Sequence, residues 1–245
     1  MGLRLSILWA LLLVPATPLV AAEVRVAVAS NFMVAARALA ADFERRSGHR
    51  LRISSGSTGK LYTQIYHGAP YDLFLAADAE RPMRAEREGL AVTGTRFTYA
   101  TGRLALWSPQ GDPLNRLQQG DFRRLAIANP NTAPYGAAAS EVLAQLHGDA
   151  TRNKLVYGEN ISQTHQFVAS GNADLGFVSL SQLQQEEGGN LWLVPQHHYR
   201  PIQQQVVLLK GAISFQPARD FLAYLQGESA GAIIAAGGYY GPGGS

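Results

Sequence analysis

The chain predicts an α/β protein of two lobes, each a mainly parallel sheet flanked by helices, with two crossing segments between them. Three observations lead to this. Apolar runs of strand length alternate with stretches whose apolar residues recur at helical spacing, the pattern of a parallel sheet covered on both faces. Near residue 100 the alternation is interrupted by Phe97 to Trp107, a β-prone stretch with no long helical pattern. A second α/β series follows, and an extended segment, Gln203 to Leu209, then leads back to two helix-like stretches.

In order, Val24 to Val28 reads as a buried strand. Phe32, Met33, Ala36, Leu39, Ala40 and Phe43 then recur at helical spacing until Ser47-Gly48 stops the helix. Leu51 to Ile53 is a second strand, and Leu61, Ile65 and Tyr66 mark a second helix closed by Gly68-Ala69-Pro70. Asp72 to Ala77 is a third strand, with Asp78 as cap for the next helix. Beyond the first crossing come strand Leu125 to Ala128, helix Ala137 to Leu146, strand Leu155 to Tyr157, helix Ser162 to Ser170 and strand Gly176 to Val178. Phe215 to Leu225 and Ala230 to Ala236 are the last helices, and the glycine-rich tail Gly237 to Ser245 is expected to close loosely. The expected division is lobe 1 over 23–101 and 203–245, and lobe 2 over 102–202.

Residues 1–22, MGLRLSILWALLLVPATPLVAA, form an export signal: Arg4 is the positive end, Leu5 to Val14 the apolar core, and Val20-Ala21-Ala22 the small-residue cleavage site. The apolar stretch is too short to span a bilayer, and Pro15 and Pro18 break it. Cleavage lowers the formal charge from +3 to +2, and the basic residues are scattered without aromatic interleaving, so no nucleic-acid partner is expected. Cysteine is absent, which excludes a disulfide framework, a thiolate metal site and a lipid anchor at the cleavage site. An exported domain of this size without disulfides is compatible with a bacterial periplasm.

Four strand-to-helix junctions carry polar or glycine-bearing segments: Ala29-Ser30-Asn31, Ser55-Gly56-Ser57-Thr58-Gly59, Thr132-Ala133-Pro134-Tyr135-Gly136 and Glu159-Asn160-Ile161-Ser162. A helix start presents unpaired N–H groups and partial positive charge, so each can hold an anion. Ligands of parallel sheets sit at the carboxyl ends of strands, where these junctions fall. Ser57-Thr58-Gly59-Lys60 fails as a nucleotide loop, because Ser54 and Leu61 stand where glycine and a hydroxyl residue are required. Ser55 to Gly59 likewise misses the nucleophile elbow, since position 55 is serine. The six histidines, His49, His67, His147, His165, His197 and His198, show no catalytic or metal-ligand spacing. No protein-held metal and no cofactor are expected.

The stretches VAVASNFMVAARALAADFERRSGHRL, ISSGSTGKLYTQIYHGAPYDLFLAADAE, ANPNTAPYGAAASEVL and GENISQTHQFVASGNADLGFVSLSQ resemble the periplasmic molybdate-binding protein family, in the expected order over roughly residues 24 to 185. The resemblance implies a type II periplasmic-binding-protein-like fold holding a tetrahedral oxyanion between its lobes. It places Ser30 and Asn31 at the first helix start of the pocket and Thr58 at the second, and it implies backbone donors at Tyr135 and Ile161. Ser57 is a further candidate. Where many members have a tyrosine hydroxyl this chain has Ser179, and the Asn31 side chain is expected to compensate for its shorter reach. Lys60 is expected to lie outside the pocket.

Five to seven neutral donors, each contributing about 1.5–3 kcal/mol to a charged acceptor, can offset the dehydration of a dianion without a basic residue. Such a pocket favours an oxyanion that is fully ionised near neutrality: molybdate, tungstate or sulfate over protonated phosphate. The expected function is the non-enzymatic, monomeric receptor of a molybdate (and tungstate) ABC transporter, closing around its ligand and docking on a membrane permease. The alternatives are a receptor for sulfate, phosphate or another small anion, or a secreted hydrolase using Ser57 or Thr58.

Overall fold

The computed structural model describes residues 21–146 and 151–241; the export signal, apart from Ala21 and Ala22, lies outside them. The chain runs β1 (Glu23–Ala29), a 3-10 turn (Ser30–Phe32), α1 (Met33–Ser47), β2 (Arg50–Gly56), α2 (Thr58–Tyr66), β3 (Leu73–Leu75), α3 (Glu80–Arg87) and β4 (Phe97–Gly102). It continues with β5 (Leu104–Ser108), α4 (Pro113–Gln119), β6 (Leu125–Ala128), α5 (Pro134–Leu146), β7 (Leu155–Gly158), α6 (Ile161–Ala169), β8 (Leu175–Ser179) and a 3-10 stretch (Leu180–Gln185). Last come β9 (Asn190–Leu193), β10 (Ile202–Leu208), α7 (Phe215–Leu225) and α8 (Glu228–Ala236). None of the described helices is long and apolar enough to cross a membrane.

These strands form two sheets, in the orders β2-β1-β3-β10-β4 and β7-β6-β8-β5-β9. Each is the centre of one lobe. The sheets are mixed rather than mainly parallel: β2-β1-β3 and β7-β6-β8 are parallel, whereas β10 and β5 each pair antiparallel with both neighbours. The antiparallel strands are the ones that enter from a crossing. The chain changes sheet between Gly102 and Leu104 and returns between Leu193 and Ile202. The first change takes a single residue, Arg103, and the second contains a short 3-10 turn, Gln196–His198.

Alternation along β1 buries both of its faces. Val24, Val26 and Val28 pack with Phe32, Leu39 and Phe43 on one side, and Ala27 packs with Leu61, Tyr62 and Ile65 on the other. The second sheet repeats the arrangement, with Leu125 and Ile127 facing Val142 and Leu143 while Ala126 faces Val168. Gly48, at φ 73°, ends α1 where a side chain is disfavoured. Two elements fall outside the sequence expectation. Helix α4 starts on Asp112, whose carboxylate accepts from Asn115 N–H at 2.7 Å, with Pro113 next to it. Strand β9 is a half-exposed sheet edge.

The C-terminal tail does not close loosely through residue 240. Tyr239 is buried against Phe32 with ring centroids 5.1 Å apart, and Tyr240 exchanges backbone hydrogen bonds with Thr101. Residues 242–245 lie outside the described residues.

Candidate functional site

The first N–H groups of a helix have no acceptor within it, and their fate at four helix starts shapes the site. At α6, Asn160 Oδ1 accepts from Ser162 and Gln163 N–H, both at 3.0 Å, and Asn160 O accepts from Thr164 N–H. The N–H of Ile161, first in the helix, is left over. At α5, Pro134 has no N–H, and Gly136 and Ala137 both donate to Ala133 O; Tyr135 N–H is left over. At α2, Gly59 N–H donates to Thr132 O and Leu61 N–H to Ser57 O, leaving Thr58 N–H at the head. In the turn after β1, Met33 N–H returns to Ser30 O, leaving those of Ser30 and Asn31.

These groups surround one cavity between the lobes. Ser30, Asn31, Ser57, Thr58, Tyr135 and Ile161 all line it, together with Ala29, Gly56, Ala77, Ala133 and Pro134. Its volume is about 10 Å³, far below the 300–1,000 Å³ typical of organic-ligand pockets. None of its lining residues is ionisable near neutral pH. In a larger cleft beside it, reaching from Asp78 to Arg200, Arg81 pairs with Asp78, and Arg200 with Glu141 at 2.6 Å.

The two hydroxyls at the start of α2 have different surroundings. Thr58 Oγ1 accepts from Ala77 N–H at 3.0 Å, which commits a lone pair and leaves its hydrogen to donate elsewhere. Ser57 Oγ is buried and has no hydrogen-bond partner in the protein. A buried hydroxyl without a partner carries a desolvation cost, which a hydrogen-bond acceptor in the cavity would relieve.

Ser179 is not among the lining residues. It is fully buried behind them, where its hydroxyl donates to Tyr135 OH at 3.1 Å and lies 2.7 Å from Ser181 Oγ. The expected compensation by the Asn31 side chain is also not what the structure contains. Asn31 Nδ2 donates to Gln204 Oε1 at 2.9 Å and to Tyr239 OH at 3.2 Å, so both amide hydrogens are used inside the protein. Asn31 therefore offers the cavity its backbone N–H.

Behind the cavity lies a polar network that the sequence reading missed. Tyr239 OH and Ser181 Oγ both donate to Asn31 O, at 2.6 and 3.1 Å. Tyr99 OH donates to Gln204 Oε1 at 3.2 Å, and Gln204 Nε2 donates to Tyr135 OH at 3.3 Å. Burial pushes the Tyr99 and Tyr135 phenols well above their ordinary value and that of Tyr239 up to about 12, so all three stay neutral near pH 7. One available signal was the run Gln203-Gln204-Gln205 within β10, three amides in a strand that otherwise reads apolar.

The lobes also touch around the cavity. Gly59 N–H meets Thr132 O at 2.8 Å, Ser162 Oγ donates to Ser30 O at 3.3 Å, and Arg81 Nη2 donates to Asn131 O at 3.2 Å. Lys60, expected outside the pocket, pairs with Glu159 across the cleft at 2.7 Å.

Comparison with known proteins agrees with this architecture. Residues 24–240 match the family model described as bacterial extracellular solute-binding protein. The chain is 48% identical over 227 residues to the molybdate-binding protein ModA of Azotobacter vinelandii, covering 89% of this chain and 90% of that one. It is 46% identical over 230 residues to the molybdate-binding protein ModA of Rhodobacter capsulatus, covering 91% and 90%. The solved structure of the Azotobacter vinelandii periplasmic molybdate-binding protein superposes with a TM-score of 0.86 at 40% identity, over 90% of this chain and all of that one.

Proposed function

The chain belongs to the bacterial extracellular solute-binding proteins, and from that premise we propose that it is the molybdate-binding component of an ABC transporter. The observation that carries the ligand reading is the convergence of left-over N–H groups and free hydroxyls on a cavity lined by no charged residue. Such a site suits a small, fully ionised oxyanion. Its relatives, at 46–48% identity, are named for molybdate, which favours molybdate over sulfate or phosphate. Tungstate has the same shape and charge and is expected to compete.

The binding set is the N–H groups of Ser30, Asn31, Thr58, Tyr135 and Ile161, with the hydroxyls of Ser57 and Thr58. Ser179 supports Tyr135 from behind instead of touching the ligand. Lobe 1, over 23–101 and 203–245, and lobe 2, over 102–202, close on the oxyanion because donors from both are satisfied only when they meet. The chain acts in the periplasm after removal of residues 1–22, as a monomer that delivers its ligand to a membrane permease. It acts as a binding protein and not as an enzyme, a reading supported by relatives that are named for molybdate binding.

Titration calorimetry of the mature chain tests the reading. Molybdate is expected to give saturable one-to-one binding that a tenfold excess of sulfate does not displace. Absence of heat and of any thermal shift at millimolar molybdate would remove it, and displacement by sulfate would reassign the ligand.

A further inference from the structure

We propose that Gly59 is a positioning residue for closure: its bare Cα lets α2 seat against the backbone of Thr132 in the opposite lobe, and this contact sets how long the ligand is held. The proposal rests on the ligand-binding reading above.

Gly59 is the second residue of α2 and lies in ordinary helical backbone, where alanine is the better helix former. Its φ is not in the left-handed region that favours glycine, so local conformation gives no reason for the residue. The opposing lobe gives one. A Cβ at position 59 would lie 3.0 Å from Thr132 Cα and 3.1 Å from Thr132 O. Both are backbone atoms, so no change of rotamer relieves the contact, and the direct relief is to draw the lobes apart. Separation would also stretch the 2.8 Å bond from Gly59 N–H to Thr132 O.

The contact sits where it can report on the ligand. Thr58, one residue earlier, lines the cavity with its N–H and hydroxyl, and Tyr135, three residues after Thr132, lines it from the other lobe. The turn of helix that holds the ligand from one side therefore also carries the bond that holds the lobes together. The pairs Lys60–Glu159 and Arg81–Asn131 lie along the same edge; the first is exposed at both ends and adds little by itself. Because apparent affinity scales with the population able to close, a side chain at position 59 lowers affinity without touching the anion.

The test compares wild type, Gly59→Ala and, as control, Gly231→Ala, whose added Cβ in α8 would meet nothing within 4 Å. Molybdate calorimetry, molybdate dissociation rates and ligand-free thermal melts are read for each. Gly59→Ala is expected to weaken molybdate binding about tenfold or more, mainly through faster dissociation, with a ligand-free melting temperature equal to or above that of wild type. Gly231→Ala is expected to bind as wild type does. Wild-type affinity in a folded Gly59→Ala overturns the proposal, as does weaker binding accompanied by a lower ligand-free melting temperature. A Gly59→Ala chain that does not fold also overturns the proposal, because the glycine would then serve the ligand-free packing of α2 and not closure. A wild-type chain that binds no molybdate removes the ligand reading and the latch together, whereas a binding wild type with an unchanged variant removes the latch alone.

Discussion

At the scale of single residues, Ser57 and Ser179 show how the same hydroxyl serves opposite purposes. Ser57 Oγ is buried with no partner, facing a cavity of donors, whereas Ser179 Oγ is bonded to Tyr135 OH and lies against Ser181 Oγ. Ser57→Ala is expected to weaken molybdate binding by about 1.5–3 kcal/mol, the range for one hydrogen bond to a charged group. It should leave the ligand-free melting temperature unchanged or slightly raised, because an unpaired buried hydroxyl is removed. Ser179→Ala is expected to do the reverse, keeping affinity near wild type while costing about 1 kcal/mol of stability. Calorimetry paired with thermal melts separates the two; a Ser57→Ala chain with unaltered affinity would move the hydroxyl contact to Thr58.

At the scale of elements, the start of α6 shows how a cap selects which donor a ligand can use. Asn160 occupies the second and third N–H groups of the helix and leaves the first, that of Ile161, for the cavity. Asn160→Ala is expected to lower stability by about 1 kcal/mol and also to weaken binding, because a fraying first turn no longer holds Ile161 in place. Asn160→Asp keeps the acceptor and the stability but puts negative charge beside the cavity, so its affinity should fall while its melting temperature holds. Denaturant titration and calorimetry on both variants check this; equal affinity in wild type and Asn160→Asp would place the anion away from α6. Helix α5 reaches the same end by other means, since Pro134 removes one N–H and Ala133 O takes the next two after Tyr135.

At the scale of the whole molecule, the proposed binding set, with donors from two lobes around one small ion, calls for a hinged body. Small-angle scattering is expected to give a smaller radius of gyration with molybdate than without, and an unchanged radius would contradict closure. Which segments become strands and helices, and which helix starts carry spare donors, was legible locally, because alternation, Pro134, Asn160 and the hydroxyl run at Ser57-Thr58 act on their own neighbours. Helix α4 is legible too, in its Asp112-Pro113 start. The half-exposed β9 and the buried Tyr239 left no local pattern, since an edge strand lacks alternation and a glycine-rich tail lacks periodicity. Whether a given polar group faces the ligand or the protein was decided only in three dimensions. Asn31 meets Gln204, 173 residues away, and Ser179 meets Tyr135 through the packing of β8 against α5. A hydroxyl or amide has the same chemistry wherever it stands, so long-range packing alone determines which donors are consumed inside the fold and which stay free for an anion.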